Sequence, residues 1–284
     1  MIINFLIIIQ VYMFEIVNVI ICYNNGEEVV KYIDEMKNHD CIEKVCFVIT
    51  INAGRDEDIS FITNYIEETK LNVILFSPNE NLGYLNGLIQ GYRYFRESNA
   101  APRFVVMSNT DITIPNISYY KDLIEKNYDE CIGCIGPSVF VGEKNTYDNP
   151  VEEKRRSLQE MNRIIMLFSV PLFRGLYVYL STIKGYFKKN MKTDSRYVYE
   201  VHGCYFILTR KFAEIIKTQK YGALMYSEET YIAELIYRYN FREYYDADIE
   251  VIHLEHSTTK FVKCSKIAKY IKESMKYIRD EFYL

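Results

Sequence analysis

Phe104-Val105-Val106-Met107-Ser108-Asn109-Thr110-Asp111 is an apolar run of four that stops abruptly in small polar residues and then a carboxylate. A short continuous apolar run of this kind predicts a strand buried on both faces, the environment of a mostly parallel sheet. In open α/β sheets, ligands bind beyond the carboxyl ends of such strands. An Asp just past the strand is therefore placed to hold a divalent cation and, through it, the phosphates of a nucleotide. The competing use of Asp111 is to open a turn ahead of Pro115.

Toward the N-terminus, Ile16 to Cys22, Val45 to Ile51 and Asn72 to Phe76 read as further strands. Helices between them are marked by Val29, Val30, Ile33 and Met36, then by Ile59, Ile62 and Ile66. The turn cluster Pro78-Asn79-Glu80-Asn81-Leu82-Gly83 opens a third helix, with Leu85, Leu88, Ile89, Tyr92 and Phe95 on one face. This alternation predicts βαβ units and a parallel sheet. No G-x-G-x-x-G follows the first strand, which disfavours a dinucleotide-binding domain. The run from Ile2 to Met13 is too short to span a bilayer and has no basic n-region or cleavage site. It reads as a leader or an extra edge strand, with Met13 as an alternative start.

Beyond Asp111 the pattern changes. Cys131 to Val141 reads as a strand interrupted by Gly133, Gly136 and Pro137. Residues 154–192 hold nine Lys/Arg against one acid, Glu160, around the apolar stretch Ile164 to Phe173. Two readings stand: a core-packing insertion with a solvated basic rim, or an interfacial segment whose cations meet anionic lipid. Tyr197 to Leu208 reads as a returning strand, and Phe212, Ile215 and Ile216 mark a short helix. Tyr226-Ser227-Glu228-Glu229-Thr230 opens a helix with Ile232, Leu235, Ile236 and Tyr239 inside. Acids in a first turn are favoured by the helix dipole alone. Glu243 to Asp246 and Ile249 to Leu254 read as two short strands, the second running into His253-Leu254-Glu255-His256-Ser257. A basic amphipathic helix from Phe261 onward, with Ile267, Ile271, Met275 and Ile278 inside, closes the chain. The expected organisation is one α/β domain over residues 14–260, followed by the helix over 261–284.

The 284 residues are 49% hydrophobic and 25% charged, enough to bury a core. A net charge of −4 argues against a general nucleic-acid binder. Seven cysteines, scattered through apolar runs, suit reduced thiols in the cytoplasm rather than a disulfide framework. Cys131 and Cys134 form a lone C-x-x-C with no partner pair, so they read as small buried hydrophobes rather than zinc ligands.

Six features occur in a recognisable order. Tyr23-Asn24 follows the first strand, Asn81-Leu82-Gly83-Tyr84 opens a helix and Ser108-Asn109-Thr110-Asp111 follows the fourth strand. Then come Gly203-Cys204-Tyr205-Phe206-Ile207-Leu208, Tyr226-Ser227-Glu228-Glu229, and Val251-Ile252-His253 with Ser257. In this order they resemble the family 2 glycosyltransferases of the GT-A fold, especially bacterial enzymes that build capsule or O-antigen polysaccharide. The resemblance covers residues 14 to 260.

The resemblance implies a metal-dependent, inverting transfer from a nucleotide-sugar donor to a saccharide acceptor, lipid-linked, at the cytoplasmic face of the membrane. Asp111 matches the last Asp of a D-x-D-like motif, a ligand of Mn²⁺ or Mg²⁺, with Asn109 at the first position and Ser108 before it. His253 matches the histidine that returns to the metal or diphosphate. Glu229 matches the general base on the acceptor hydroxyl, with Glu228 shaping the acceptor pocket. Tyr23, Asn24, Asn52, Asn81 and Gly83 fall where the family borders its nucleotide sugar. The chain departs from the pattern at Ile51, where an Asp usually reads the base, and at Gln90, where the family has Asn. Ile51 motivates a reading as an inactive assembly subunit, while a nucleotidyltransferase lacks its glycine-rich basic loop after strand one.

Overall fold

The computed structural model describes residues 13–52, 54–142, 144–170, 191–254 and 264–284. Strands β1 (Ile16–Cys22), β2 (Val45–Ile51), β3 (Asn72–Phe76) and β4 (Phe104–Ser108) lie parallel in the order β3-β2-β1-β4. Helices α1 (Gly26–Glu35), α2 (Asp56–Glu68) and α3 (Tyr84–Arg96) connect them. Every residue of β2 and β4 is buried, because helices cover both faces, and this is why these strands are continuously apolar rather than alternating.

The sheet continues past β4 through elements labelled here in chain order. They are β5 (Ile112–Thr113), α4 (Tyr119–Glu125), β6 (Ile132–Val141), β7 (Thr146–Tyr147), α5 (Leu158–Ser169) and β8 (Arg196–Val198). After them come β9 (Tyr205–Thr209), α6 (Arg210–Ile216), α7 (Glu228–Arg238), β10 (Arg242–His253) and α8 (Cys264–Phe282). The full order is β3-β2-β1-β4-β9-β6-β10-β5, with β7 on β6 and β8 on β10. Strand β9 runs antiparallel to both β4 and β6, whereas β6 and β10 are parallel. The chain is therefore α/β, with a parallel half extended by a mixed half.

Register brings the interesting loops to one edge. Cys22 pairs with Ile51 and Ile20 with Ser108, so β1, β2 and β4 end together. Ser108 pairs with Tyr205, so an antiparallel β9 is entered from that same edge. His253 pairs with both Val141 and Ile112, which returns the end of β10 to the residue after Asp111.

Two apolar layers sandwich the sheet. One contains Leu85, Tyr92, Met161, Phe212, Tyr231, Leu235, Met275 and Ile278, so α8 shares the core of the body. The other contains Val29, Tyr32, Ile33, Ile62, Tyr119, Tyr120 and Leu123 from α1, α2 and α4. Each such side chain contributes about 1.5–3 kcal/mol by leaving water.

Four expectations are corrected by the fold. The strand predicted over Tyr197 to Leu208 is two strands, because the amides of residues 201–204 bond to side chains instead of a neighbouring strand. The two short strands after Glu243 are one, β10, with residues 247–249 bulged out between Asp246 and Glu250. Tyr239 is not in the buried stripe of α7 but caps it, 40% exposed. Cys131 is exposed, while Cys134 is buried as expected; both are free thiols, as are Cys22, Cys41, Cys46 and Cys204.

The basic segment divides. Met161 and Ile165 of α5 are buried against the body, which is the core-packing reading for this part. Arg155 reaches Glu234 at 2.8 Å and Arg156 reaches Glu200 at 2.7 Å, both acids being almost fully buried. Lys192 pairs with Glu250 at 2.8 Å. Residues 171–190, with the rest of the apolar stretch and four of its cations, lie outside the described residues, as do residues 1–12, His256 and Ser257. No described helix is long and apolar enough to cross a membrane.

Arg156 also holds Thr230 Oγ1 at 3.1 Å and Glu152 at 2.9 Å. Removing one partner of a buried pair leaves an uncompensated charge. Arg156→Ala should therefore lower unfolding free energy by roughly 3–5 kcal/mol, read from urea denaturation. A loss near zero would show that Glu200 is accommodated without its cation.

Candidate active site

The chain leaves β4 through Ser108-Asn109-Thr110-Asp111. Ser108 is fully buried, its Oγ 2.9 Å from the Tyr32 hydroxyl and 2.6 Å from the Asn109 carbonyl oxygen. Asn18 donates to the same Tyr32 oxygen at 2.7 Å, and burial pushes that phenol up to about 12. Ser108 thus stiffens the strand end from beneath, and the exposed face of the loop begins at Asn109. The Asn109 amide donates to the Cys204 carbonyl at 2.8 Å, and the Leu254 amide donates to the Asp111 carbonyl at 2.9 Å. These bonds seat Asp111 against the end of β10, where His253 Nε2 lies 3.3 Å from Asp111 Oδ2.

Asp111 Oδ1 and His253 Nδ1 are buried and have no hydrogen-bond partner. Orphaned acceptors of this kind are costly unless something occupies them. A carboxylate oxygen suits Mn²⁺ or Mg²⁺, and an imidazole nitrogen suits a transition ion, so the two together favour Mn²⁺ over Mg²⁺. Among the described residues no group of three or more His, Cys, Asp or Glu side chains converges to hold a metal. Two side chains are a partial shell, and a cation held here would take its remaining ligands from substrate oxygens or water.

The first loop is tied to this one. Tyr23 is 46% exposed and its amide donates to Asn25 Oδ1 at 2.8 Å; Asn24 is left-handed at φ 57°. Asn25 Nδ2 reaches Thr110 Oγ1 at 3.1 Å, bridging the two loops. Sequence reasoning gave neither Asn25 nor Thr110 a role, and their adjacency follows only from the β1–β4 pairing. Arg55 donates to the Asn24 carbonyl at 3.3 Å and holds Asp58 below the usual carboxylate range through its hydrogen bond. Ile51 is buried at the end of β2, so that position offers a nucleobase no polar group.

Asn52 is buried and both ends of its amide are engaged: Oδ1 accepts from the Leu82 amide at 2.7 Å and Nδ2 donates to the Gly83 carbonyl at 3.0 Å. Its place is under the Asn81–Gly83 loop, shaping it. Asn81 Oδ1 accepts from the Gly83 amide at 2.9 Å while the residue stays exposed. Gly83 has φ +79°, and a Cβ there would sit 2.1 Å from the Leu224 carbonyl oxygen, so only glycine fits.

On the other side, α7 begins at Glu228 after two left-handed residues, Tyr226 at φ 71° and Ser227 at φ 61°. Such conformations cost about 1–2 kcal/mol each for L-residues, and strain of this kind collects at functional sites. The surroundings hold it. The Tyr221 hydroxyl donates to the Tyr226 carbonyl at 2.6 Å, the Tyr226 ring stacks on Tyr270, and Ser227 Oγ lies 3.0 Å from Ser274 Oγ of α8.

Glu229 Oε1 accepts from the Gly203 amide at 3.2 Å, and a Cβ on Gly203 would lie 2.5 Å from that oxygen. The Tyr84 hydroxyl donates to the Gly203 carbonyl at 3.2 Å. Burial pushes Glu229 up, against the lowering effects of its own and the Gly203 amide. Burial and then the charge of Glu229 push Glu228 up to about 8. Tyr84 and Cys204 are raised by burial first, and Asp111 and Glu229 add to both. The Asp111 and Glu229 carboxylates therefore both lie near enough to Tyr84 and Cys204 to act on them, and Glu228 acts on Tyr84 as well. The His202 ring, unassigned from sequence, lies 5.9 Å from that of His253.

No protein-family profile matches the chain. No curated protein sequence matches it either. Among solved structures it is similar to the mannosyltransferase PcManGT from Pyrobaculum calidifontis in complex with GDP-Man and Mn²⁺, at 15% identity and a TM-score of 0.56, covering 91% of this chain and 61% of that one. It is also similar to GalNAc-T7 with UDP, GalNAc and Mn²⁺, at 13% identity and a TM-score of 0.58, covering 94% of this chain and 48% of that one. The chain thus spans about half to three-fifths of the length of these structures. The fold it shares with them is GT-A.

Glu228 yields a stability prediction whose sign is fixed by its raised value. Between its ordinary value of 4.5 and about 8 the unfolded chain has lost this proton and the folded chain keeps it. The unfolded state binds fewer protons, so this group's contribution to stability declines as pH rises through that window. Glu228→Gln should remove the decline. Its Tm should gain on wild type from pH 5 to 8 and run parallel above, as measured by calorimetry; a constant offset across the range would refute the assignment.

Proposed function

We propose that this chain is a metal-dependent, inverting glycosyltransferase of family 2 type, moving a sugar from a nucleotide-sugar donor to a saccharide acceptor. The observation that carries the reading is the convergence of Asp111, His253, Glu228 and Glu229 around Tyr84 and Cys204 at the loop edge of a GT-A sheet. The neighbours' GDP-Man, UDP and Mn²⁺ support a nucleoside-diphosphate donor and a divalent ion.

In this reading Asp111 and His253 hold the cation, which when bound neutralises charge developing on the leaving diphosphate. Asn109, Tyr23, Asn24, Asn81 and Gly83 border the donor, and Asn52 and Ser108 brace those loops from within the sheet. Glu229 takes the proton of the acceptor hydroxyl as that oxygen attacks the anomeric carbon opposite the leaving group. Its raised basicity suits that work near neutral pH. Glu228, still protonated near neutrality, lines the acceptor side without adding a second charge beside the base.

A lipid-linked acceptor in capsule or O-antigen synthesis, with the protein resting on the inner membrane face, is the finer part of the proposal. Its support is the basic apolar segment over 154–192 and the exposed Met166 of α5. Arg155, Arg156 and Lys192 are engaged with acids, so any lipid contact falls to the other cations.

The test separates metal site from base. UDP-, dTDP- and GDP-sugars are titrated with Mn²⁺ into wild type, Asp111→Asn, His253→Ala and Glu229→Gln by calorimetry, and hydrolysis of the best-bound donor is followed. Asp111→Asn and His253→Ala should lose Mn²⁺-dependent donor binding and turnover together. Glu229→Gln should bind donor normally and lose turnover by roughly 10²–10⁴-fold. A Glu229→Gln protein with full turnover moves the base to another residue, and a wild type that binds no nucleotide sugar favours the inactive-subunit reading motivated by Ile51.

A further inference from the structure

Residues 201–204 pass beside the candidate base without a strand partner, yet each of their four amides has a side-chain acceptor. Val201 N–H donates to Glu243 Oε2 at 2.8 Å and His202 N–H to Asn149 Oδ1 at 2.7 Å. Gly203 N–H donates to Glu229 Oε1 at 3.2 Å, and Cys204 N–H to His202 Nδ1 at 3.1 Å. Asn149 is itself fixed through the Pro137 carbonyl at 2.8 Å. Glu229 and Glu243 thus grip one three-residue span from opposite ends. A small cavity lined by Cys134, Val201, Gly203, Phe206, Glu229 and Glu243 lies between them.

Glu243 is 1% exposed, and its Oε1 has no hydrogen-bond partner. No Lys or Arg pairs with it among the described residues, in contrast to Glu200 and Glu234. We propose that Glu243 is a positioning residue for the candidate base: it fixes the Val201 amide and so sets the angle at which Gly203 presents its own amide to Glu229. The inference rests on reading Glu229 as the base.

An ionised carboxylate at this depth with one amide bond would cost several kcal/mol, so Glu243 works as the neutral acid. The titratable groups acting on it from within are Cys134 from β6, Glu200 from the loop after β8 and Glu229 from α7. Glu153, Arg155 and Arg242 line the groove on its outer side, and among the described residues neither arginine forms an ion pair with it. Burial foremost, with Glu200 and Glu229 adding to it, pushes the carboxyl well above its ordinary range, while the Val201 amide opposes. Neutrality matters to the function, because a second negative charge here would act on the charge state of Glu229.

Glu243→Gln keeps an acceptor for Val201 N–H and the neutral state; Glu243→Met keeps the length and removes the acceptor. Both are compared with wild type and Glu229→Gln in Mn²⁺-dependent hydrolysis of the best-bound nucleotide sugar, with donor affinity by calorimetry and Tm alongside. Glu243→Gln should keep the wild-type kcat and pH profile. Glu243→Met should bind donor normally but lose kcat on the order of 100-fold, the cost of about 1 Å of misplacement at a reacting group. A folded Glu243→Met protein with wild-type kcat would overturn the proposal, as would a Glu243→Gln protein with a displaced acid limb or with kcat lost. If Glu243→Met does not fold, Glu243→Leu, which also lacks the acceptor, is read by the same criteria. Full activity in Glu229→Gln identifies failure of the underlying base assignment instead, and the positioning role falls with it.

Discussion

The antiparallel placement of β9 beside β4 is the constraint on which the rest of this molecule depends. Parallel strands deliver their C-terminal ends to one edge of a sheet, and a strand running the other way delivers its N-terminal approach to that edge. Because Ser108 pairs with Tyr205, the segment before β9 arrives where the loop after β4 departs. The Asn109 amide then meets the Cys204 carbonyl, and Gly203 comes under Glu229. A parallel β9 would put these groups at opposite ends of the sheet.

Buried acids are handled in two ways around this edge. Glu200 and Glu234 sit deep but meet Arg156 and Arg155, so the basic segment before α5 serves the interior of the body. Glu228, Glu229 and Glu243 form no such ion pair and are pushed up by burial, as Glu200 is despite its arginine. Low polarity strengthens every interaction among these groups, which makes their protonation a property of the cluster. Charge neutralised by arginine stabilises the scaffold.

The abundance of tyrosine has a related use. Tyr221, Tyr231 and Tyr277 pack together, and the hydroxyls of Tyr231 and Tyr277 both reach the Lys220 carbonyl. An aromatic body with one polar tip can fill apolar space and still satisfy loop carbonyls. The loop from Lys220 to Ser227 is held this way against α8. It carries the Leu224 carbonyl that receives the Tyr84 amide, and it ends in the strained pair that aims α7.

The first half of the fold was legible in sequence because burial on both faces leaves a continuous apolar signature, as in β1, β2 and β4, and because helix faces repeat at their own period. The Asp111 loop and the Glu228-Glu229 helix start were marked by abrupt polar residues at the ends of those elements. Tertiary structure alone decided the rest. Hydrophobic pattern is blind to whether an amide bonds a strand or a side chain, so the loop at 199–204 looked like strand. It is equally blind to a bulge, so β10 looked like two pieces. The pairings Asn25 with Thr110, Asn52 with the Gly83 loop, and Glu243 with Val201 join residues far apart in the chain. Such contacts follow from strand order and register, and local sequence carries neither.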